Sequence, residues 1–358
     1  MDQLQQGGFM TENQKIGFTC AYTPVPVIEA AGFSALRILP GTRSPDQAGH
    51  MLHDNMCPHV KQVLDRALSG DLPDLHAMVF INSCDSMRRL SDAWKTARPG
   101  DRTLILDLPS SISGLSIDFL SKEYERLART LCEWQGRDYD PGALAVRIEN
   151  WNRLARSVRK IREKMSKEYY PGLAAFLQSV INTAAADSVE NALAMIPALE
   201  EKVLAPKKGR VPVLMFGNLM FDPEIFNRFE EWNVHVAAED FCTGSRFLTS
   251  IDQRPPESDF LSMARSFMTD KTCARTIDIE NPGAAAQRMV EKAKKTGARG
   301  VIAFILKFCD PFLARIPAIR DALKEQSIPF LMLEGDLTLG SIEQHRTRIE
   351  AFTEMLEV

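Results

Sequence analysis

Three of the seven cysteines close apolar, strand-like runs and open helical ones: Cys84 in AMVFINSCDSMRRL, Cys242 in VHVAAEDFCTGSR and Cys309 in GVIAFILKFCDPFL. Thiolates bind soft metals and metal clusters. In a parallel α/β sheet the carboxyl ends of the strands form the ligand crevice, so thiols placed there are gathered from distant sequence positions onto one site. The pattern predicts a cluster-binding geometry. Taken singly, each of these cysteines also reads as a small buried hydrophobe. Cys20 in FTCAYTPVPVIEAAG, Cys57 in DNMCPHV and Cys273 in DKTCARTI extend the set, whereas the apolar helix face of LARTLCEW accounts for Cys132. A cluster held by three protein thiolates keeps one iron open to substrate, by the logic that leaves catalytic zinc an open position. Three ligands therefore read as catalytic more readily than as pure electron transfer.

Other chemistries lack their residues. The sequence has no GxxxxGK[ST] loop for nucleotide phosphates, no GxGxxG after a strand, no CxxC and no GxSxG elbow. GARG at 297–300 reads as a turn before a buried strand. His50, His53 and His59 near Cys57 imitate a metal site, but solvated helix or loop positions explain them. A net charge of −4 argues against nucleic-acid binding. No run reaches the ~18 apolar residues of a membrane span, and MDQLQQGGFMTENQK has no apolar leader core. A cytoplasmic protein without a membrane or nucleic-acid partner is expected, its odd cysteine count fitting a reducing compartment rather than a disulfide framework.

Positioning such thiols requires strands. FSALRILP (33–40), AMVFINS (77–83) and RTLILDLP (102–109) alternate with helical patterns such as CPHVKQVLDRALSG, which implies βαβ units and a parallel sheet. From 114 to about 202 apolar residues recur at helical spacing without a strand-length β-branched run. APKKGR (205–210) reads as a linker. Alternation then resumes with VPVLMFGN, VHVAAED, GVIAFIL and FLMLEGD, interrupted by a long loop expected from Thr243 to about Asp270. Asp222 with Pro223, and Ser341 with Gln344 as a capping box, mark helix starts. The expected class is α/β, with two parallel-sheet Rossmann-like or flavodoxin-like domains (1–113 and 206–358) around a helical domain (114–205).

TCAYTPVPVIEAAGF, MCPHV, NSCDSMRRLSDAW, FGNLMFDPEIFNRFE, EDFCTGSRF, KFCDPFLARIPAIRDAL and LEGDLTLGSIEQHRTRIEAFTEML together resemble the 2-hydroxyacyl-CoA dehydratase family, which includes the ATP-dependent benzoyl-CoA reductase subunits. The likeness runs from Gly17 to Leu356, and KFCDP followed by the TRIEAF helix is its most specific part. It implies a four-iron four-sulfur cluster on Cys57, Cys84 and Cys309, with the open iron facing an acyl-CoA thioester. It also implies a homologous subunit, in a homo- or heterodimer, and an ATP-dependent iron–sulfur activator protein that delivers one low-potential electron for ketyl-radical dehydration or reduction. A branch of the family carries an eight-iron double-cubane cluster on six cysteines, and Cys20, Cys242 and Cys273 resemble the additional three. The KFCDPF segment instead matches the dehydratase and benzoyl-CoA reductase branches, so both cluster types stay open.

Family members commonly carry an acid just after the proline of the Cys-x-aromatic-x-Pro segment. Here Val25 and Pro26 follow Pro24, leaving Glu29 as the nearby acid. Glu29, Arg246 and Glu334 are the candidate catalytic groups, with Gly244 for close backbone approach and Ser245 for an oxyanion or CoA phosphate. Asp336 reads equally as a turn cap. The alternatives are a double-cubane reductase of small molecules, a non-catalytic electron-transfer or scaffold subunit, and a cluster-free ligand-binding protein of two lobes.

Overall fold

The computed structural model describes residues 14–41, 47–271 and 273–357. The N-terminal stretch read above for a leader lies outside them except for its last two residues. Among the described residues ten strands are formed: β1 (Lys15–Phe18), β2 (Ser34–Arg37), β3 (Ala77–Asn82), β4 (Arg102–Asp107), β5 (Ser111–Ile112), β6 (Val211–Gly217), β7 (Val234–Asp240), β8 (Ile277–Asp278), β9 (Gly300–Leu306) and β10 (Phe330–Gly335). They build two four-stranded sheets, β2-β1-β3-β4 and β10-β9-β6-β7, in which every pairing is parallel. The protein is thus α/β, as its sequence pattern predicts. The short pair β5–β8 joins Ser111 in parallel register to Ile277, tying the end of the first sheet region to the second.

Side-chain alternation explains the layering. In β3, Ala77, Val79 and Ile81 face a core shared with the helices between 114 and 202, while Met78 and Phe80 face a second core. That second core also receives Val213 and Met215 of β6 and Ile302, Phe304 and Leu306 of β9. The opposite faces of β6 and β9, with Leu214, Phe216, Val301, Ala303 and Ile305, pack in a third core with the helices Ala284–Lys295 and Ile316–Glu325. Both sheets are covered on both sides, which is why their strands read as continuous apolar runs.

The region from Gly114 to Lys202 is helical throughout its long segments: Gly114–Trp134, Pro141–Met165 and Leu173–Ala186, then two short helices ending at Lys202. Asp222 caps the helix Pro223–Glu231 by accepting from the Glu224 amide. Three elements differ from the pattern read in the sequence. First, β1 was hidden: KIGF is four residues long and contains glycine, yet it pairs with both β2 and β3 in the middle of its sheet. Second, the interval expected as a loop from Thr243 to Asp270 holds the helix Asp259–Asp270, capped by Ser258 and burying Phe260, Met263, Ala264, Phe267 and Met268. That spacing is helical. Third, Thr338 caps a short helix Leu339–Glu343, and the final helix begins separately at Arg346. Ser341 lies inside the short helix and accepts from the Asp336 amide.

Candidate functional site: a thiol-lined cavity between the sheets

In the first sheet β1 has later strands on both sides, so the strand order reverses there between β1 and β3; in the second sheet it reverses between β6 and β9. Ligand crevices of open parallel sheets form at such points. Cys20 lies two residues beyond β1, and Cys84 two beyond β3, where it is the N-cap of the helix Asp85–Ala97. Asn218 follows β6 directly, Cys309 caps the helix after β9, and Cys242 lies two residues beyond β7. Cys57 caps the helix Pro58–Leu68, and Cys273 sits between the helix 259–270 and β8. All six cysteines line one cavity of about 330 Å³, reached from the surface beside the half-exposed Phe308.

The six thiols form two neighbouring triads: Cys57 lies near Cys309 and Cys84, Cys20 lies near Cys273 and Cys242, and Cys273 also adjoins Cys84 and Cys309. Burial pushes the Cys20 thiol up to about 12, against the Tyr22 amide, with Cys273 and Cys242 adding to the rise. Burial likewise raises Cys57 well above the usual thiol range, reinforced by Cys309. Cys309 is pushed up to about 11 by burial, while the Phe312 amide and Asn218 pull it down. Cys84 and Cys273 are raised by the same cause. Such thiols stay protonated until something positive displaces the proton, which is how metal binding couples to thiol ionisation. Among the described residues no three His, Cys, Asp or Glu side chains close on a point as one metal ion requires. The six thiols instead line the walls of the cavity.

The polar groups of the cavity are already oriented. Asn218 accepts from the Leu306 amide at 2.9 Å and donates to Cys309 Sγ at 2.7 Å. Arg37, at the end of β2, donates to the Cys242 carbonyl at 2.7 Å and meets Cys242 Sγ at 3.5 Å. Lys271 Nζ donates to the carbonyls of Ala21, Arg246 and Phe247 at 2.7, 2.9 and 3.2 Å. These three residues were not singled out in the sequence; a buried Lys or Arg has no periodicity to betray it. His59 also lines the cavity and is buried, correcting its expected solvated position; burial, then Arg37, lowers its imidazole to about 3. His50 and His53 are exposed, as expected.

The other sequence candidates divide. Arg246 lines the cavity, but its guanidinium pairs with Asp240 at 3.1 Å and donates to the carbonyls of Gly217, Asn218 and Asp240. Ser245 gives its amide and hydroxyl to Glu239, and a Cβ on Gly244 would collide with the same carboxylate. Their close approach serves that buried glutamate. Glu29 and Glu334 are not among the lining residues. The Glu29 carboxyl faces Glu190 and Arg147, Glu334 is exposed on β10, and Asp336 accepts from Thr338 as a turn cap. Cys132 is buried on the helix Gly114–Trp134, away from the cavity.

Fold and site together define a two-sheet α/β protein whose ligand crevice is a ring of thiols. The chain belongs to the family described as 2-hydroxyglutaryl-CoA dehydratase, D-component, whose model matches residues 20–356. It is 26% identical over 350 residues to the lactoyl-CoA dehydratase subunit beta of Anaerotignum propionicum, covering 95% of this chain and 91% of that one. Identity is 24% to the (R)-phenyllactyl-CoA dehydratase beta subunit of Clostridium sporogenes, covering 99% and 94%. It is 22% to a benzoyl-CoA reductase subunit of Thauera aromatica, covering 96% and 91%. Among solved structures, ZnuA covers 96% of this chain and 99% of its own at 10% identity and a TM-score of 0.28. Among the described residues no helix is long and apolar enough to cross a membrane.

Proposed function

We propose that this chain is the iron–sulfur subunit of an enzyme of the 2-hydroxyacyl-CoA dehydratase or benzoyl-CoA reductase type. The observation that carries the reading is the convergence of six thiols, from sites spread between residues 20 and 309, on one cavity at the carboxyl ends of both sheets. Cys57, Cys84 and Cys309 would hold a cubane, and Cys20, Cys242 and Cys273 fit a second. When bound, such a group supplies low-potential electrons to an acyl-CoA thioester. The chain's own residues do the rest. Asn218 orients Cys309 and, by donating to its sulfur, stabilises charge there. Buried Met87, Leu219, Leu306 and Phe312 keep the cavity walls apolar and exclude water from the reacting region. His59, held neutral, keeps a ring nitrogen at the wall without adding a charge.

The relatives' names describe them as subunits, which supports a homologous partner subunit here. The absence of a phosphate-cradling loop in the sequence supports a separate ATP-dependent activator. A double cubane is the second reading, supported by the second triad, which lines the same cavity as the first. Anaerobic purification with iron and acid-labile sulfide counts tests it. One cubane's iron per chain supports the dehydratase pattern, twice that supports the double cubane, and a colourless, iron-free protein overturns both. Turnover on an acyl-CoA panel, with and without activator and ATP, then tests the reaction.

A further inference from the structure

Three basic side chains are buried around the second triad: Arg37 and Arg246, each 3% exposed, and Lys271, 2% exposed, its amine lowered by burial to about 7. Burying a charge is costly unless an opposite charge accompanies it. Arg246 has Asp240, which also receives Lys292 at 3.4 Å. Arg37 and Lys271 have no carboxylate within ion-pair distance among the described residues. Arg37 meets the Thr19 and Cys242 carbonyls, the Cys242 sulfur and the Phe247 ring. Lys271 meets only carbonyl oxygens and the rings of Phe267 and Tyr22, and its sequence neighbour Asp270 is exposed. The sulfur of Cys242 lies 3.5 Å from the Arg37 guanidinium, and Lys271 bonds the carbonyl of Ala21, the residue after Cys20, at 2.7 Å.

The same two side chains stitch together the loops that carry these sulfurs. Arg37 bonds the carbonyl before Cys20 and the carbonyl of Cys242; Lys271 bonds the carbonyl after Cys20 and two carbonyls of the turn after Cys242, two residues ahead of Cys273. We propose that Arg37 and Lys271 are positioning residues for a metal-bound thiolate triad of Cys20, Cys242 and Cys273, offsetting its negative charge and fixing its three loops. This half of the cavity then carries its own iron–sulfur unit, and the fixed positive charge raises that unit's reduction potential. The inference rests on the iron–sulfur reading above and adds to it which residues build the second half.

The test uses the full chain, purified anaerobically, as wild type and as Arg37→Gln, Lys271→Gln and Arg37→Lys. Iron and sulfide per chain and the midpoint potential from a spectroscopic redox titration are the readouts; melts of the chelated proteins report folding. Each Gln variant that folds should lose about half of the wild-type iron, or retain it with a more negative midpoint, and Arg37→Lys should restore the wild-type values. Folded Gln variants with wild-type iron and midpoint overturn the proposal. If the Gln variants do not fold, Arg37→Lys decides: unchanged loading and potential support the charge role, and halved iron in a folded protein overturns it. An iron-free wild type would defeat the iron–sulfur reading itself, which is a different outcome from an iron-loaded wild type indifferent to these substitutions.

Discussion

Replacing Glu29 by glutamine should stabilise the protein at alkaline pH and leave it unchanged in acid. Glu29 sits on the short helix Val25–Ala30, and its Oε2 is buried with no hydrogen-bond partner among the described residues. Burial raises the carboxyl from 4.5 to about 7, Glu190 adds to the rise, and Arg147 and the Val189 amide oppose it. An acid raised in the folded state binds more protons folded than unfolded between those two values. Stability therefore falls as pH climbs from about 4.5 to about 7 and levels off above. At about 1.4 kcal/mol per pH unit the ceiling is about 3 kcal/mol. Glu29 is only partly buried, and screening by water reduces this to about 1–2 kcal/mol. For a chain of 358 residues that is roughly 1–3 °C in melting temperature. Melts of wild type and Glu29→Gln at pH 4.5 and pH 8 should separate only at pH 8, with the variant higher. An equal difference at both values, or a less stable variant at pH 8, would refute the argument. Iron content should not change, because Glu29 does not line the cavity.

Further outcomes follow from particular contacts. Gly217→Ala should cost more than about 3 kcal/mol, because its Cβ would overlap the Phe304 carbonyl oxygen and backbone cannot yield; a melt within a few degrees of wild type would contradict this. Cys132→Ala should keep the full iron load and lose at most about 1–2 kcal/mol for a small buried side chain, whereas loss of iron in a folded variant would place this thiol in the site. Amide exchange over Asp259–Asp270 should be slow without any ligand, since this helix buries one full face; rapid exchange throughout would restore the loop expected from sequence.

The strand-end placement of Cys84 and Cys309 is legible in the sequence. Cys84 and Cys309 are found where an apolar run meets a helix start, and each is a helix N-cap. Cys20 escapes that reading because β1 is too short to show a pattern, although it occupies the sheet's interior. The helix 259–270 is obscured by the turn-rich CTGSR and Pro255–Pro256 stretch ahead of it, although Phe260, Met263, Ala264 and Phe267 stand at helical spacing. Arg37, Lys271 and Asn218 carry no local signal at all. Their roles arise from partners 205, 250 and 91 positions away, and only tertiary structure brings those together.

The ring of thiols has a consequence for biosynthesis. Its members enter from nearly the whole length of the chain, and Cys309 emerges from the ribosome after the first sheet and all the central helices have had time to fold. Until β9 docks between β6 and β10, the Asn218 side chain lacks both Leu306 and Cys309, and the cavity is open along that wall. A nascent or truncated chain ending before residue 300 would hold five of the six cavity cysteines without Cys309 and without the wall that β9 supplies.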